Sequence, residues 1–275
     1  MARRPLAPLQ PGWVLVGGAP MFHRWHVPPE PKGDVVHVHG FAISGTYLEP
    51  TAALLAAHRG SYIPDLPGMG RSLRPPEPLD VPGLARALVD YLDQVGIERP
   101  TFVGNSLGCP IIIEVASRFP DRIDRAVLVS PAGGPNNQPL PRALRQMAMD
   151  GVREPASMLP IAARDYLRFG VPRTISLFLA MTRYPTLERL EDLTVPTLVV
   201  AGRRDPLVNH DRVHVLSVLP HVQAVRIAGA HALNYSRPQV LADLIEAFLD
   251  DESLLPVVAR HEGAEMIEIP PLTQE

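Results

Sequence analysis

The sequence predicts an α/β protein: a mostly parallel central sheet with helices on both faces, and a small block of helices inserted after the sixth sheet strand. Three observations carry that expectation. Short β-branched runs alternate with segments of helical spacing along most of the chain, the order that parallel strands need because each is joined to the next by a crossover. Runs such as TLVV, at 197–200, are near-continuously apolar, as strands buried on both faces are. Between about Gly133 and Leu190 the alternation stops, and helical composition takes over without a strand pattern.

The chain starts MARRPLAPLQPGW, where Pro5, Pro8 and Pro11 interrupt any helix and no apolar run of signal-peptide length follows, so it reads as a loose arm. WVLV from Trp13 and MFHRWHV from Met21 read as an antiparallel pair, the second alternating as an edge strand does. VVHVH from Val35, SYIP from Ser61, TFVGN from Thr101 and AVLVS from Ala126 read as strands. Between them lie TYLEPTAALLAAHR, VPGLARALVDYLDQVG and LGCPIIIEVASRF, spaced as helices. PRALRQMAMDGV, ASMLPIAARDYLRF and TISLFLAMTRY form the insertion, rich in Met and Leu. TLVVAG from Thr197, HDRVHVLSVLP, QAVRIAG from Gln223 and a last helix ending near Asp250 restore the alternation. The expected division is a core over 1–133, a helical cap over 134–190, the second part of the core over 191–250, and a tail over 251–275. That tail could cover its own sheet edge, pair with another subunit, or be disordered.

With 275 residues, 46% of them hydrophobic, the chain can bury a substantial core. Its 32 prolines cluster between the periodic segments, where they stiffen loops without removing ladder hydrogen bonds. Acids and bases are interspersed and the net charge is −3, so no charge footprint points to nucleic acid or an anionic membrane. No apolar run is long enough for a membrane span. The single cysteine, Cys109, excludes an internal disulfide and fits a reducing, cytoplasmic compartment.

The chemistry is concentrated in FVGNSLG, Phe102 to Gly108, which sets Ser106 between two glycines where a strand gives way to a helix. A sharp strand-to-helix turn there would raise the hydroxyl above the sheet edge, with free N–H groups of the helix start beside it. A serine needs a base. Of ten histidines, His231 alone directly follows a buried-type strand ahead of a helix, in AGAHALNY. Asp205, in RRDPLV, ends the strand before that one. With Pro206 after it, Asp205 also reads as a plain turn residue, but the order Ser, Asp, His is the one this topology requires of nucleophile, orienting acid and base.

Together with HGFAISG from His39, DLPGMGRS from Asp65, GRRDPLV and GAHALNY, these residues make five motifs in family order. The chain resembles the α/β-hydrolase fold family from about Gly12 to Asp250, in the subgroup with a helical cap. It is similar to carboxylesterases and to hydrolases of meta-cleavage products. The resemblance implies that the backbone N–H groups of Phe41 and Leu107 form an oxyanion hole. It also implies that His39 is structural, that Asp65, Gly68, Gly70 and Arg71 hold a turn, and that Asn105 and Ser44 lie near the pocket.

The activity implied is a serine hydrolase acting on an ester or related acyl bond of a small hydrophobic substrate, as a monomer or homodimer. A carbon–carbon bond hydrolase is the alternative, although Ala232 stands where such relatives carry tryptophan and HGFAISG is poorer in glycine than their loop. Perhydrolase or haloperoxidase side activity needs no further residues. A small-molecule receptor with incidental turnover is the reading from another class. Ser106 in place of aspartate argues against dehalogenase and epoxide hydrolase chemistry.

No cofactor and no metal are expected. His210 and His214 have the i, i+4 spacing of a zinc helix, but Asp211 is shorter than the usual glutamate and no third ligand is evident. No glycine-rich phosphate loop occurs, and Cys109 reads as a buried small residue.

Overall fold

Valine-rich runs form the parallel centre of one sheet in the computed structural model, which describes residues 6–267. The first residues of the proposed arm, 1–5, and the end of the proposed tail, 268–275, lie outside the described residues. The strands are β1 (Gln10–Val16), β2 (Ala19–His26), β3 (Asp34–Val38), β4 (Gly60–Pro64), β5 (Thr101–Asn105), β6 (Arg125–Val129), β7 (Thr197–Gly202), β8 (Val222–Ile227) and β9 (Glu265–Met266). Their order across the sheet is β1-β2-β4-β3-β5-β6-β7-β8-β9. From β4 to β8 all neighbours are parallel, while β1, β2 and β9 run antiparallel at the two ends.

The helices are α1 (Glu49–Leu55), α2 (Val81–Val95), α3 (Gly108–Arg118), α4 (Leu140–Gly151), α5 (Leu159–Phe169), α6 (Val171–Arg183), α7 (His210–Leu216), α8 (Leu233–Ser236), α9 (Pro238–Leu249) and α10 (Leu255–Arg260). Apolar side chains of α2, α3 and α7 pack in one core layer, and those of α1, α9 and α10 in a second layer on the other face of the sheet. This double covering explains why β5 and β7 are buried at every residue. Helices α4, α5 and α6 lie between β6 and β7, where the alternation breaks in the sequence.

One element differs from the sequence expectation, and one that the sequence left open is resolved. The last helix is divided at Arg237 and Pro238 into the short α8 and the longer α9, because Pro238 cannot donate to the turn before it. Of the three options for the tail, residues 251–267 take the first: α10 leads into β9, which pairs with β8 through Val225↔Met266 and Arg226↔Glu265. Glu265 pairs with Arg203 at 2.7 Å and Arg226 at 3.2 Å. The signal was too short to read, since a two-residue strand has no periodicity.

Candidate active site

At the carboxyl end of β5 the chain turns into α3 through Ser106, whose φ is +55°. That left-handed conformation costs a non-glycine residue on the order of 1 kcal/mol or more. The surroundings enforce it. A Cβ on Gly104 would stand 2.7 Å from the Gly108 carbonyl carbon, and one on Gly108 would collide with the Val38 carbonyl of β3. Only with glycine at both positions can α3 start this close to the sheet. The Ser106 N–H donates to Val129 O at 3.1 Å, tying the turn to β6.

Asp205 follows β7 and His231 follows β8, so both stand at the same sheet edge as Ser106. His231 Nδ1 lies 2.8 Å from Asp205 Oδ2. With the carboxylate accepting, Nδ1 carries the proton and Nε2 is left for a substrate-side partner. Asp205 Oδ1 accepts from Leu207 N at 2.8 Å. Burial opposes ionisation of Asp205, but the neighbouring imidazole and the Leu207 N–H hold its carboxyl below the usual range. For His231, burial acts to lower the pKa, yet the Asp205 carboxylate, with Asp150 and Glu154 adding, carries it up to about 9.

Ser106 and His231 share the wall of one cavity of about 390 Å³. Its apolar wall includes Phe41, Ile43, Met147, Met158, Tyr166 and Met181. Phe41 follows β3; its ring stands 6.1 Å from that of Tyr166 and 5.4 Å from that of Phe178. Leu107 is buried at the start of α3 and is not part of the wall. Neither is Ser44, whose N–H instead donates to the buried Asp165 of α5 at 2.8 Å; its expected place near the pocket is corrected to a tether between loop and insertion. Asn105 does line the cavity.

Asn105 also does something its position in the motif does not reveal. Its Nδ2 donates to Val129 O at 3.2 Å and His231 O at 3.1 Å, and its Oδ1 accepts from Tyr47 Oη at 2.6 Å. The Gly40 N–H in turn donates to Tyr47 Oη at 2.8 Å. One buried network thus joins the loops after β3, β5 and β8.

Sequence reasoning missed Asp150 and Glu154. Asp150 Oδ1 accepts from the backbone N–H of His231 at 3.2 Å, and Glu154 Oε1 from that of Ala232 at 2.7 Å. Both carboxylates line the cavity, and among the described residues no lysine or arginine does. Burial, with Glu154 and Asp205 nearby, pushes the Asp150 pKa up to about 7. Their i, i+4 spacing, with Asp150 in the last turn of α4 and Glu154 just beyond it, was a visible signal, but nothing in the sequence says which way that segment faces.

The remaining motif residues support the frame. His39 Nδ1 donates to Gly40 O at 2.9 Å, while Nε2 accepts from Leu66 N at 2.8 Å. Asp65 gathers Gly45 N, Arg71 N and the Arg24 guanidinium, each at 2.8 to 2.9 Å. His210 Nε2 lies 3.1 Å from Asp205 O. Cys109 is buried, its Sγ 3.4 Å from the carbonyls of Gly104 and Val129, and burial pushes its thiol pKa up.

Comparison with known proteins places the chain among related sequences and folds. The family model of the alpha/beta hydrolases matches residues 35–244. The chain is 26% identical over 248 residues to esterase YbfF of Escherichia coli, covering 80% of this chain and 94% of that one. It is 27% identical over 210 residues to a poly(3-hydroxyalkanoate) depolymerase of Ectopseudomonas oleovorans, covering 68% and 74%. A 100-residue stretch is 37% identical to an uncharacterized protein of Mycobacterium tuberculosis, 36% of this chain and 29% of that one. Carboxylesterase CesB of Bacillus subtilis superposes with a TM-score of 0.74 at 20% identity, covering 90% and 93%, a likeness of fold.

Proposed function

The chain belongs to the alpha/beta hydrolase family, and from that premise we propose that it is a serine hydrolase cleaving a carboxylic ester, or a related acyl bond, of a small hydrophobic substrate. The carrying observation is the 2.8 Å pairing of His231 Nδ1 with Asp205 Oδ2, with the imidazole on the same cavity wall as Ser106. In this reading His231 Nε2 takes the proton of Ser106 as its Oγ attacks the substrate carbonyl. Asp205 holds the ring in the tautomer that leaves Nε2 free and stabilises the imidazolium. The negative oxygen of the tetrahedral intermediate is held by the N–H groups of Phe41 and Leu107. Each such donor is worth about 100- to 1,000-fold in rate. His231 then protonates the leaving alcohol, and water, deprotonated by the same imidazole, releases the acyl group from Ser106.

Helices α4 to α6 act as the cap, and the Met and Tyr side chains of this segment, with Phe41 from the loop after β3, make the acyl pocket apolar. Relatives named esterase and depolymerase are consistent with acyl chemistry. The test is hydrolysis of p-nitrophenyl esters from acetate to decanoate by wild type and Ser106→Ala. Serine-dependent turnover with a chain-length optimum is expected. Turnover unchanged in Ser106→Ala would refute the assignment, and covalent labelling of Ser106 without ester turnover would shift it to carbon–carbon cleavage or to a receptor.

A further inference from the structure

Among the described residues, seven of the fifteen large apolar side chains left exposed lie between Leu140 and Ile175. Val152 and Leu167 have 86% and 83% of their surface in water, more than any other large apolar side chain described. Such a concentration marks an interaction surface. The charges of the same stretch are sorted by direction. Its three acids all engage inward: Asp150 and Glu154 accept from the loop at His231 and Ala232, and Asp165 from Ser44. Its six arginines are mostly exposed. Arg142, Arg145 and Arg168 have no ion-pair partner among the described residues. The net charge of −3 averages over this segregation.

The surface also surrounds the cavity mouth. The exposed members of the cavity wall are Ala148, Gly151 and Leu159, next in sequence to Met149, Val152 and the end of the loop before α5. Exposed apolar side chains interspersed along one segment with unpaired arginines match a membrane interface, where the apolar groups enter the acyl boundary and the guanidinium groups meet lipid phosphates. A second copy fits less well, because a two-fold contact would set these arginines against each other. A nucleic acid fits less well too, since no aromatic ring is exposed among them to stack on a base.

We propose that the outer surface of helices α4 and α5 docks on an anionic lipid bilayer, with the cavity mouth turned toward the lipid. This is surface association: among the described residues no helix is long and apolar enough to cross a membrane. The proposal does not depend on the hydrolase reading, because it is tested without turnover.

The full chain is sedimented with vesicles of phosphatidylcholine alone and of phosphatidylcholine mixed with phosphatidylglycerol. Binding to the mixed vesicles only, falling as salt rises from about 0.05 to about 0.5 M, is expected. The triple variant Arg142→Gln, Arg145→Gln, Arg168→Gln should lose about fivefold in partition per arginine, about 100-fold in all. Val152→Ser with Leu167→Ser should lose about tenfold or more. Circular dichroism checks folding, and if the arginine variant fails to fold, the wild-type salt titration decides. The proposal falls if wild type binds neither vesicle at low salt, binds both equally, or keeps its partition in a folded triple variant. It also falls if the apolar pair instead holds a dimer that Val152→Ser with Leu167→Ser dissolves.

Discussion

Asn105, one residue before the strained Ser106, donates from Nδ2 to the backbone carbonyl of His231, 3.1 Å away. The elbow and the loop bearing the proposed base are therefore fixed to each other through backbone and amide, independently of the side chains that would do the chemistry. Tyr47 completes the arrangement by donating to Asn105 Oδ1 and accepting from Gly40 N–H. Tyr47→Phe removes that hydroxyl and leaves two buried groups without their partner. A loss of about 1 to 3 kcal/mol in urea unfolding is expected, with kcat/KM for a p-nitrophenyl ester falling about tenfold as the loops loosen.

The positive φ at Ser106 sets a contrast between two inactive variants. Both Ser106→Ala and Ser106→Gly lack the hydroxyl and should lack turnover, but only glycine accepts the left-handed backbone without strain. Ser106→Gly should therefore be more stable than Ser106→Ala, by about 1 kcal/mol in denaturant unfolding. Equal stability would mean that the elbow does not hold this conformation in solution.

Charge around His231 gives a pH prediction. The carboxylates near the ring are Asp205 from the loop after β7, Asp150 from the last turn of α4 and Glu154 from the turn after it, and together they raise its pKa toward 9. A base must be neutral to accept a proton, so kcat/KM should rise with pH along a limb lying above 6.5. Asp150→Asn keeps an acceptor for the His231 N–H but deletes a negative charge. The imidazolium is then less favoured, the His231 pKa falls, and the limb moves to lower pH. A limb that stays in place would show that Asp150 is ionised too little to act on the ring.

His37 makes a separate claim about stability. It is fully buried in β3, neither ring nitrogen has a hydrogen-bond partner among the described residues, and burial lowers its pKa to about 3. Its folded pKa lies below the unfolded value near 6.5, so the unfolded chain takes up the proton first and stability drains away as pH falls through 6.5 toward 3. The cost is about 3 kcal/mol at pH 4 relative to pH 7. His37→Val should shift the acid-unfolding midpoint to lower pH and leave stability at pH 7 less affected. No shift in the midpoint would place another group in control.

Much of the frame was legible because its signals are local. The two glycines around Ser106, the apolar runs of β5 and β7, and the loss of alternation after β6 each follow from a few adjacent residues, and the structure has them where the periodicity places them. Asp205 and His231 could be named because topology orders the loops along one sheet edge. Asp150 and Glu154 could not, since their role depends on how the end of α4 and the turn after it are set against the His231 loop, a matter of tertiary packing. The same holds for Ser44, drawn away from the cavity by Asp165, and for β9, whose pairing is decided by the exposed edge of β8 rather than by its own two residues.

The ring of Phe41 rests against Tyr166 and Phe178, and Ser44 N–H is held by Asp165. The loop after β3 is thus moored at two points to the helices that roof the cavity. A swing of those helices wide enough to admit a bulky guest would drag the loop away from Ser106, and their return would set it back. On the proposed hydrolase reading, admission and reaction would be mutually exclusive moments in a cycle, so the tempo of the roof, rather than the strength of the nucleophile, would be the ceiling on turnover for large substrates.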